Sequence, residues 1–173
     1  DKIAIVTGST RGIGRAIAEL FLKEGAKVVI NGTDQKKCDE AAKQLGKNAI
    51  GIKADISKAD EINQMVKKTI ENFGKINILV NNAGIVHFDS FFELSEDQWD
   101  KLMDIDLKGT FLCSQTVAKE MVKRGNGGKI INMSSVAGFI GFPRLCHYCV
   151  AKAGVAELTK EIAIELAPYK INV

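Results

Sequence analysis

Toward its end the chain reads Cys146-His147-Tyr148-Cys149-Val150-Ala151-Lys152. Two chemistries overlap in these seven residues. On a helix, positions i and i+4 share a face, so Lys152 lies beside Tyr148. A free phenol has a pKa of about 10 and is a poor acid or base at neutral pH. A neighbouring ammonium favours the phenolate and lowers that value. A tyrosine tuned in this way gives a proton to a developing alkoxide or takes one from an alcohol. The bland alternative is a solvated pair on a helix. Cys146 and Cys149 suggest instead a redox couple or half of a metal site. A structural zinc needs two more ligands at suitable spacing. Cys38 and Cys113 stand alone, and His87 and His147 form no H-x-x-x-H pair. No metal is expected, and the four cysteines read as small apolar side chains.

Two further stretches carry chemistry. Ser135 sits in Asn132-Met133-Ser134-Ser135-Val136-Ala137-Gly138, after a strand-like run. A hydroxyl there could hydrogen-bond a substrate oxygen and hold it against the tyrosine. No G-x-S-x-G elbow surrounds it, so it is not set up as a nucleophile. Near the start stands Thr7-Gly8-Ser9-Thr10-Arg11-Gly12-Ile13-Gly14. Glycines between a strand and a helix allow a tight turn and close approach to a phosphate. The helix N-terminus behind them offers free N–H groups to a pyrophosphate. No G-K-[ST] follows, which excludes a P-loop. The turn Asn81-Asn82-Ala83-Gly84 follows another strand and should face the same crevice.

The elements that must position these residues alternate along the chain. Strands are expected at Lys2–Thr7, Lys27–Asn31, Ala49–Lys53, Asn77–Val80 and Lys129–Met133, with a sixth opening at Lys170–Val173. Helices are expected at Ile13–Glu24, Asp34–Leu45, Lys58–Phe73, from Ser95 to about Arg124, and from about Tyr148 to Leu166. Ile13, Ile17, Leu20 and Phe21 are the expected inner face of the first helix. Ser95 and Gln98 have capping-box spacing. Strands without polar alternation, separated by helices, imply an α/β fold: a doubly wound parallel sheet, Rossmann-like, with helices on both faces.

The 173 residues, 46% of them hydrophobic and 26% charged, fit one globular domain over 1–173. A net charge of +3 is too small to argue for nucleic acid. No apolar run approaches the ~18 residues of a membrane helix, and no signal peptide is apparent. Four cysteines without a secretory signal suggest a cytoplasmic protein.

TGSTRGIG, Asp55, NNAG, Ser135 and Tyr148-x-x-x-Lys152, in this order and at these intervals, resemble the classical short-chain dehydrogenases/reductases. The resemblance runs over essentially the whole chain. It implies hydride transfer between a nicotinamide cofactor and a carbonyl or secondary alcohol. It implies that Tyr148 is the general acid/base, that Lys152 lowers its pKa and binds the nicotinamide ribose, and that Ser135 orients the substrate oxygen. Gly8, Ser9, Arg11, Gly12, Ile13 and Gly14 would form the cofactor turn, with Thr33 close to the adenosine ribose. Asp55 and Ile56 would touch the adenine, and Asn82, Ala83 and Gly84 would line the cleft. Asp106 stands where the family often has an asparagine feeding a proton-relay water, and is counted with the catalytic residues. The family continues with a Pro-Gly turn, a substrate-covering loop and a last strand, so the sequence is expected to be part of a longer one.

An acidic residue at the end of strand two favours NAD. Gly32 holds that position here, and Arg11 suits a 2′-phosphate. NADP is therefore expected, with NAD possible because Asp34 lies two positions along and would repel a phosphate. The overall likeness is to 3-oxoacyl-carrier-protein reductases and to sugar or polyol dehydrogenases. The substrate is thus a small or acyl-carrier-bound carbonyl compound, with a sugar, polyol or steroid alcohol as the alternative. Lys123-Arg124 could meet an acidic carrier, and Arg144 could line the substrate mouth. A dinucleotide sensor without chemistry, or a methyltransferase on a similar sheet, would not need the serine, tyrosine and lysine. The family commonly forms dimers or tetramers through its long helices, where Leu107, Phe111 and Leu112 fit helical packing.

Overall fold

A computed structural model describes residues 2–173. Six parallel strands form one sheet: β1 (Ile3–Val6), β2 (Lys27–Gly32), β3 (Ala49–Lys53), β4 (Ile78–Asn81), β5 (Gly128–Asn132) and β6 (Ile171–Asn172). Their order is β3-β2-β1-β4-β5-β6. The order reverses direction between β1 and β4, and a ligand crevice opens beyond the carboxyl ends of strands at such a point. Ile5 pairs with Val29 on one side and Leu79 on the other, and Leu79 pairs with Ile130. These paired residues share a face and meet the buried side chains of α3 (Ala59–Phe73) and α5 (Gly109–Arg124). Ala4, Val6, Val28, Ile30 and Val80 point to the other face, against α1 (Gly12–Lys23) and α2 (Gln35–Leu45).

Coverage is uneven. Val80 pairs with Ile131, so Ile131 shares the α1/α2 face, and it is 44% exposed. The sheet carries helices on both faces as expected, but among the described residues β5 is open on this one. The expected inner face of α1 also needs correction. Ile17 and Phe21 pack against the core beside the buried Gly14 and Ala18, while Ile13 and Leu20 are exposed. Ile13 sits in the first turn and faces the crevice beside Tyr148.

Local chemistry sets the helix ends. The Asp34 carboxylate accepts from the Lys37 N–H at 3.2 Å and caps α2. Gly74 and Gly125 end α3 and α5 in the left-handed conformation. Ser95 and Gln98 form the capping box of α4 (Glu96–Met103). The long helix from Ser95 is continuous to Arg124 but not uniformly α-helical. Asp104–Lys108 forms a π-helical turn between α4 and α5. Such single turns are frequent at functional sites, and this one carries Asp106. The final helix, α6 (Cys146–Leu166), starts two residues before Tyr148. No helix among the described residues is long and apolar enough to cross a membrane.

Candidate active site

The first turn and the turn after β4 are stitched together by Thr7 and Asn82. The Thr7 hydroxyl accepts from the N–H groups of Asn82 and Ala83, each at 3.0 Å. The Asn82 amide donates to the carbonyls of Thr7 at 2.9 Å and Gly8 at 3.2 Å. Gly8 takes φ +63°, and a Cβ there would lie 2.8 Å from the Ala83 Cα. Gly14 leaves room where a Cβ would strike the Asn82 amide and the Gly8 carbonyl. These glycines are thus used for backbone approach, as a phosphate-binding turn requires.

Asn31 locks the turn from below. Its amide donates to the carbonyls of Ile52 and Ala54, both at 3.2 Å. Ser9 faces inward: its hydroxyl donates to the Val6 carbonyl and accepts from the Asn31 N–H at 3.0 Å. Its own N–H donates to the Asn31 carbonyl at 2.9 Å. The Ser9 hydroxyl therefore holds the turn and is not presented to the crevice. Asn82 likewise spends its side-chain amide on the turn. Thr7 and Asn31 carry no signature in the sequence beyond lying beside a glycine cluster or at a strand end. Buried polar groups of this kind are legible only once their partners are known.

Three adjoining depressions run along the carboxyl edge. One of about 430 Å³ is lined by Arg11, Arg15, Thr33, Asp34, Lys37 and Glu40, among others. A second, of about 270 Å³, shares Thr10, Arg11, Gly32 and Thr33 with it and reaches Asp55, Ile56 and Ala83. A third, of about 180 Å³, shares Asn82, Gly84 and Ile85 with the second and ends at Tyr148 and Lys152. An elongated cleft of this shape fits a dinucleotide. Glycines shape its middle, cations stand at one end, and a phenol and an ammonium stand at the other. Asp55 is held in a local turn. Its Oδ1 accepts from the Ser57 N–H at 3.0 Å and the Ser57 hydroxyl at 2.7 Å. Partial burial works against its charge, but the Ser57 hydrogen bonds, with Lys58 and Lys53, hold its carboxyl below the usual range.

At the catalytic end, Tyr148 is half-buried and Lys152 is buried. The ammonium lies over the phenol ring, 5.5 Å from its centroid. Lys152 Nζ donates to the Met133 carbonyl at 3.2 Å. It also lies 3.1 Å from Oδ2 of Asp106, whose side chain is fully buried. The two form an ion pair, and Oδ2 has no other partner among the described residues. Asp106 Oδ1 accepts from the Ile85 N–H at 2.8 Å. Gly84 makes this approach possible, since a Cβ there would lie 2.7 Å from Oδ2. Burial pushes the Asp106 carboxyl above its ordinary range, against the pull of Lys152, the Ile85 N–H and His147. Ser135 caps the 3-10 turn Val136–Gly138, its Oγ accepting from the Ala137 N–H at 3.2 Å. Its hydroxyl proton stays free to donate. The sequence places Asp106 as an acceptor for a relay water; in the structure it pairs directly with the lysine.

Cys38 and Cys113 are buried free thiols. Burial, then Asp39 and Asp34, push Cys38 up to about 11, and burial pushes Cys113 up to about 12. Both are inert as nucleophiles at neutral pH. Cys146 and Cys149, beside Tyr148, are half-buried and free.

A short chain dehydrogenase family model matches residues 2–173. An uncharacterized oxidoreductase of Thermotoga maritima is 44% identical across 99% of this chain and 68% of its own length. An NAD-dependent glycerol dehydrogenase of Listeria innocua is 40% identical, over 100% of this chain and 68% of its own. A 3-oxoacyl-[acyl-carrier-protein] reductase of Staphylococcus epidermidis is 40% identical, over 100% of this chain and 72% of its own. The crystal structure of a short-chain type dehydrogenase/reductase from Mycobacterium marinum superposes with a TM-score of 0.96 at 33% identity, covering 99% of this chain and 72% of that one. With its parallel six-stranded sheet and its dinucleotide-shaped cleft, this chain belongs to the short-chain dehydrogenase family and is an NAD(P)-dependent oxidoreductase.

Proposed function

We propose that the protein reduces the ketone of a 3-oxoacyl thioester, with Tyr148 as general acid and NADP as the cofactor. The nicotinamide supplies the hydride when bound. Tyr148 delivers its phenolic proton to the carbonyl oxygen as negative charge develops there. Lys152 favours the phenolate that results, and Ser135 donates its free hydroxyl proton to the same oxygen. The observation that carries this reading is the half-buried phenol beside a buried ammonium, in a cleft continuous with the glycine turn. Asp106 tempers the lysine, because a carboxylate 3.1 Å away offsets part of the field that Lys152 exerts on Tyr148.

The thioester is favoured by the apolar surroundings of the mouth. Val86 lines the cleft with Tyr148. The loops on either side expose Phe88, Phe139, Ile140 and Phe142. They are tied together where Arg144 donates to the Phe88 carbonyl and the Asp89 N–H donates to the Arg144 carbonyl, both at 3.0 Å. Arg144 is thereby spent on a loop contact. An acyl chain gains from such a rim, and a polyol does not. NADP is favoured by Arg11, Arg15 and Lys37 around the outer depression. Arg15 is already engaged with Glu19 at 3.0 Å and Gln44 at 2.8 Å, which leaves Arg11 and Lys37 for a 2′-phosphate. A second reading, NAD-dependent oxidation of a small polyol, is favoured by the 40% identity to the glycerol dehydrogenase. Four free thiols suit a reducing, cytoplasmic setting.

A kinetic screen with both nucleotides against acetoacetyl-coenzyme A, ketone and polyol panels tests the assignment. NADPH oxidation by the thioester at kcat/KM at least tenfold above any polyol–NAD pair is expected. The reverse ranking would establish the polyol reading, and nucleotide binding without turnover of any substrate would mark a sensor.

A further inference from the structure

The pair Cys146-x-x-Cys149 flanks Tyr148, and the catalytic roles above make no use of it. The four free thiols are of two kinds. Cys38 and Cys113 are buried, and burial above all pushes both thiols up. Cys146 and Cys149 are half-buried, and Val150 beside them is exposed, so this turn meets solvent. Among the described residues no cluster of His, Cys, Asp and Glu could hold a metal with them. Cys146 is the first residue of α6, and Cys149 stands three positions on. Residues i and i+3 share a helix face, and helix geometry puts their Cα atoms about 5 Å apart. Disulfides span Cα separations of about 4.4–6.8 Å, so the backbone already permits a bridge. The Cβ atoms fit less well. On an α-helix they lie about 5–6 Å apart, whereas a disulfide needs about 3.5–4.5 Å. The Cys149 N–H donates to the Leu145 carbonyl at 2.8 Å and holds the turn in its α-helical form.

We propose that Cys146 and Cys149 are a redox site that a hydroperoxide closes into a reversible disulfide, and that the closed bridge displaces Tyr148. The loss of turnover rests on the acid role proposed above for Tyr148; the bridge itself does not. A hydroperoxide converts one thiol to a sulfenic acid and leaves as the alcohol, or as water where it is hydrogen peroxide. The second thiol attacks that sulfur, an S–S bond forms, the S–O bond breaks, and water departs. The cysteines lose two electrons and two protons, and a cellular thiol returns them by exchange. Closing the bridge draws the Cβ atoms together by about 1 Å. Tyr148 lies between the two cysteines, so the turn that carries the phenol deforms with them. A misplacement of about 1 Å costs a reacting group about 10²-fold in rate. The same misfit makes the bond easy to reduce, and strained, accessible disulfides are the labile, regulatory ones. This pair is thus built as a switch and not as a permanent staple.

Titration of the protein with hydrogen peroxide, followed by removal of the oxidant, tests the site. The thiol count of the unfolded protein should fall from four to two. Trypsin cuts after Arg144 and Lys152, so both cysteines fall in the peptide Leu145–Lys152. That peptide should become lighter by two hydrogen atoms, while Cys38 and Cys113 stay reduced. Near-ultraviolet circular dichroism, which reads the tyrosine surroundings without substrate, should change in step. Reduction of acetoacetyl-coenzyme A with NADPH should slow about tenfold or more, and dithiothreitol should restore it. Cys146→Ser and Cys149→Ser should each keep the reduced wild-type turnover, gain no bridge and show none of the dichroism change. A peptide that retains both thiols, gains oxygen or links two chains would overturn the redox site. A bridge that leaves dichroism and turnover unchanged would overturn the displacement of Tyr148. A reduced wild-type protein that turns over no carbonyl would remove the catalytic reading, and thiol count, peptide mass and dichroism would still decide the bridge.

Discussion

Removing the Tyr148 hydroxyl takes away the proton donor but leaves the ring, its contact with Lys152 and the glycine turn in place. Tyr148→Phe is therefore expected to bind NADPH nearly as the wild type does and to lose about 10²–10⁴ in kcat, the range for a lost acid–base group. Fluorescence titration of the nucleotide and steady-state kinetics measure the two halves separately. Turnover near the wild-type rate would take Tyr148 out of the mechanism. The environment of its neighbour Lys152 is unusual for a lone cation in a cleft. Asp106 pairs with it, and the Met133 carbonyl holds it in place. The i,i+4 spacing of Tyr148 and Lys152 was readable in the sequence because helix geometry alone brings them together. The Asp106–Lys152 pair was not, since nothing local records which buried groups meet across two distant helices. The same holds for Ser9, whose place in the glycine turn suggested a cofactor contact while its hydroxyl is bound inward.

Elements were legible wherever one period of hydrophobicity persisted. The β-α alternation, the parallel sheet and the capping box at Ser95 follow from patterns repeated over several residues. The π-turn at Asp104–Lys108 was invisible, because one widened turn leaves the apolar spacing around it nearly intact. The first turn of α1 misled for a different reason. Ile13 fits the helical period but stands at the crevice, where ligand contact competes with core packing. Asp34 shows how an element's end bears on cofactor choice. Its carboxylate caps α2 and lies in the depression that Arg11 and Lys37 share. Asp34→Asn retains a capping side chain while removing the charge. It is expected to keep the melting temperature and tighten NADPH several-fold over NADH. Asp34→Ala should also relieve the repulsion but lose about 1 kcal/mol of stability with the cap. Calorimetric melting and nucleotide titration of the two variants check both statements. A drop in NADPH affinity in Asp34→Asn would place the 2′-phosphate elsewhere.

At the scale of the whole molecule, the surface that catalysis leaves unused is a groove between α5 and α6. It measures about 400 Å³, and its lining includes Phe111, Ala118, Val122, Leu166 and Tyr169. Of the three α5-region residues read as packing positions, Leu112 joins the sheet core and Leu107 lies against Gly154 on α6. Phe111 instead remains 39% exposed. Large apolar side chains grouped on one face of paired helices mark an association surface. The charges at the groove would suit a second copy of the chain as the occupant. α5 contributes Lys119 and Lys123, and α6 contributes Glu165, so a two-fold axis along the groove would set each helix's charges against the opposite sign. A stable interface buries at least about 1,000 Å², more than the groove floor supplies, so flanking helix surface must take part. Sedimentation velocity is expected to show a dimer or tetramer. Phe111→Glu, which puts a charge in the apolar centre, should shift the distribution to smaller species at unchanged helical content, raising the dissociation constant by about tenfold or more for a central anchor worth over 1 kcal/mol. A wild-type protein that stays monomeric at tens of micromolar, or a variant with the wild-type distribution, would assign this groove to some other partner.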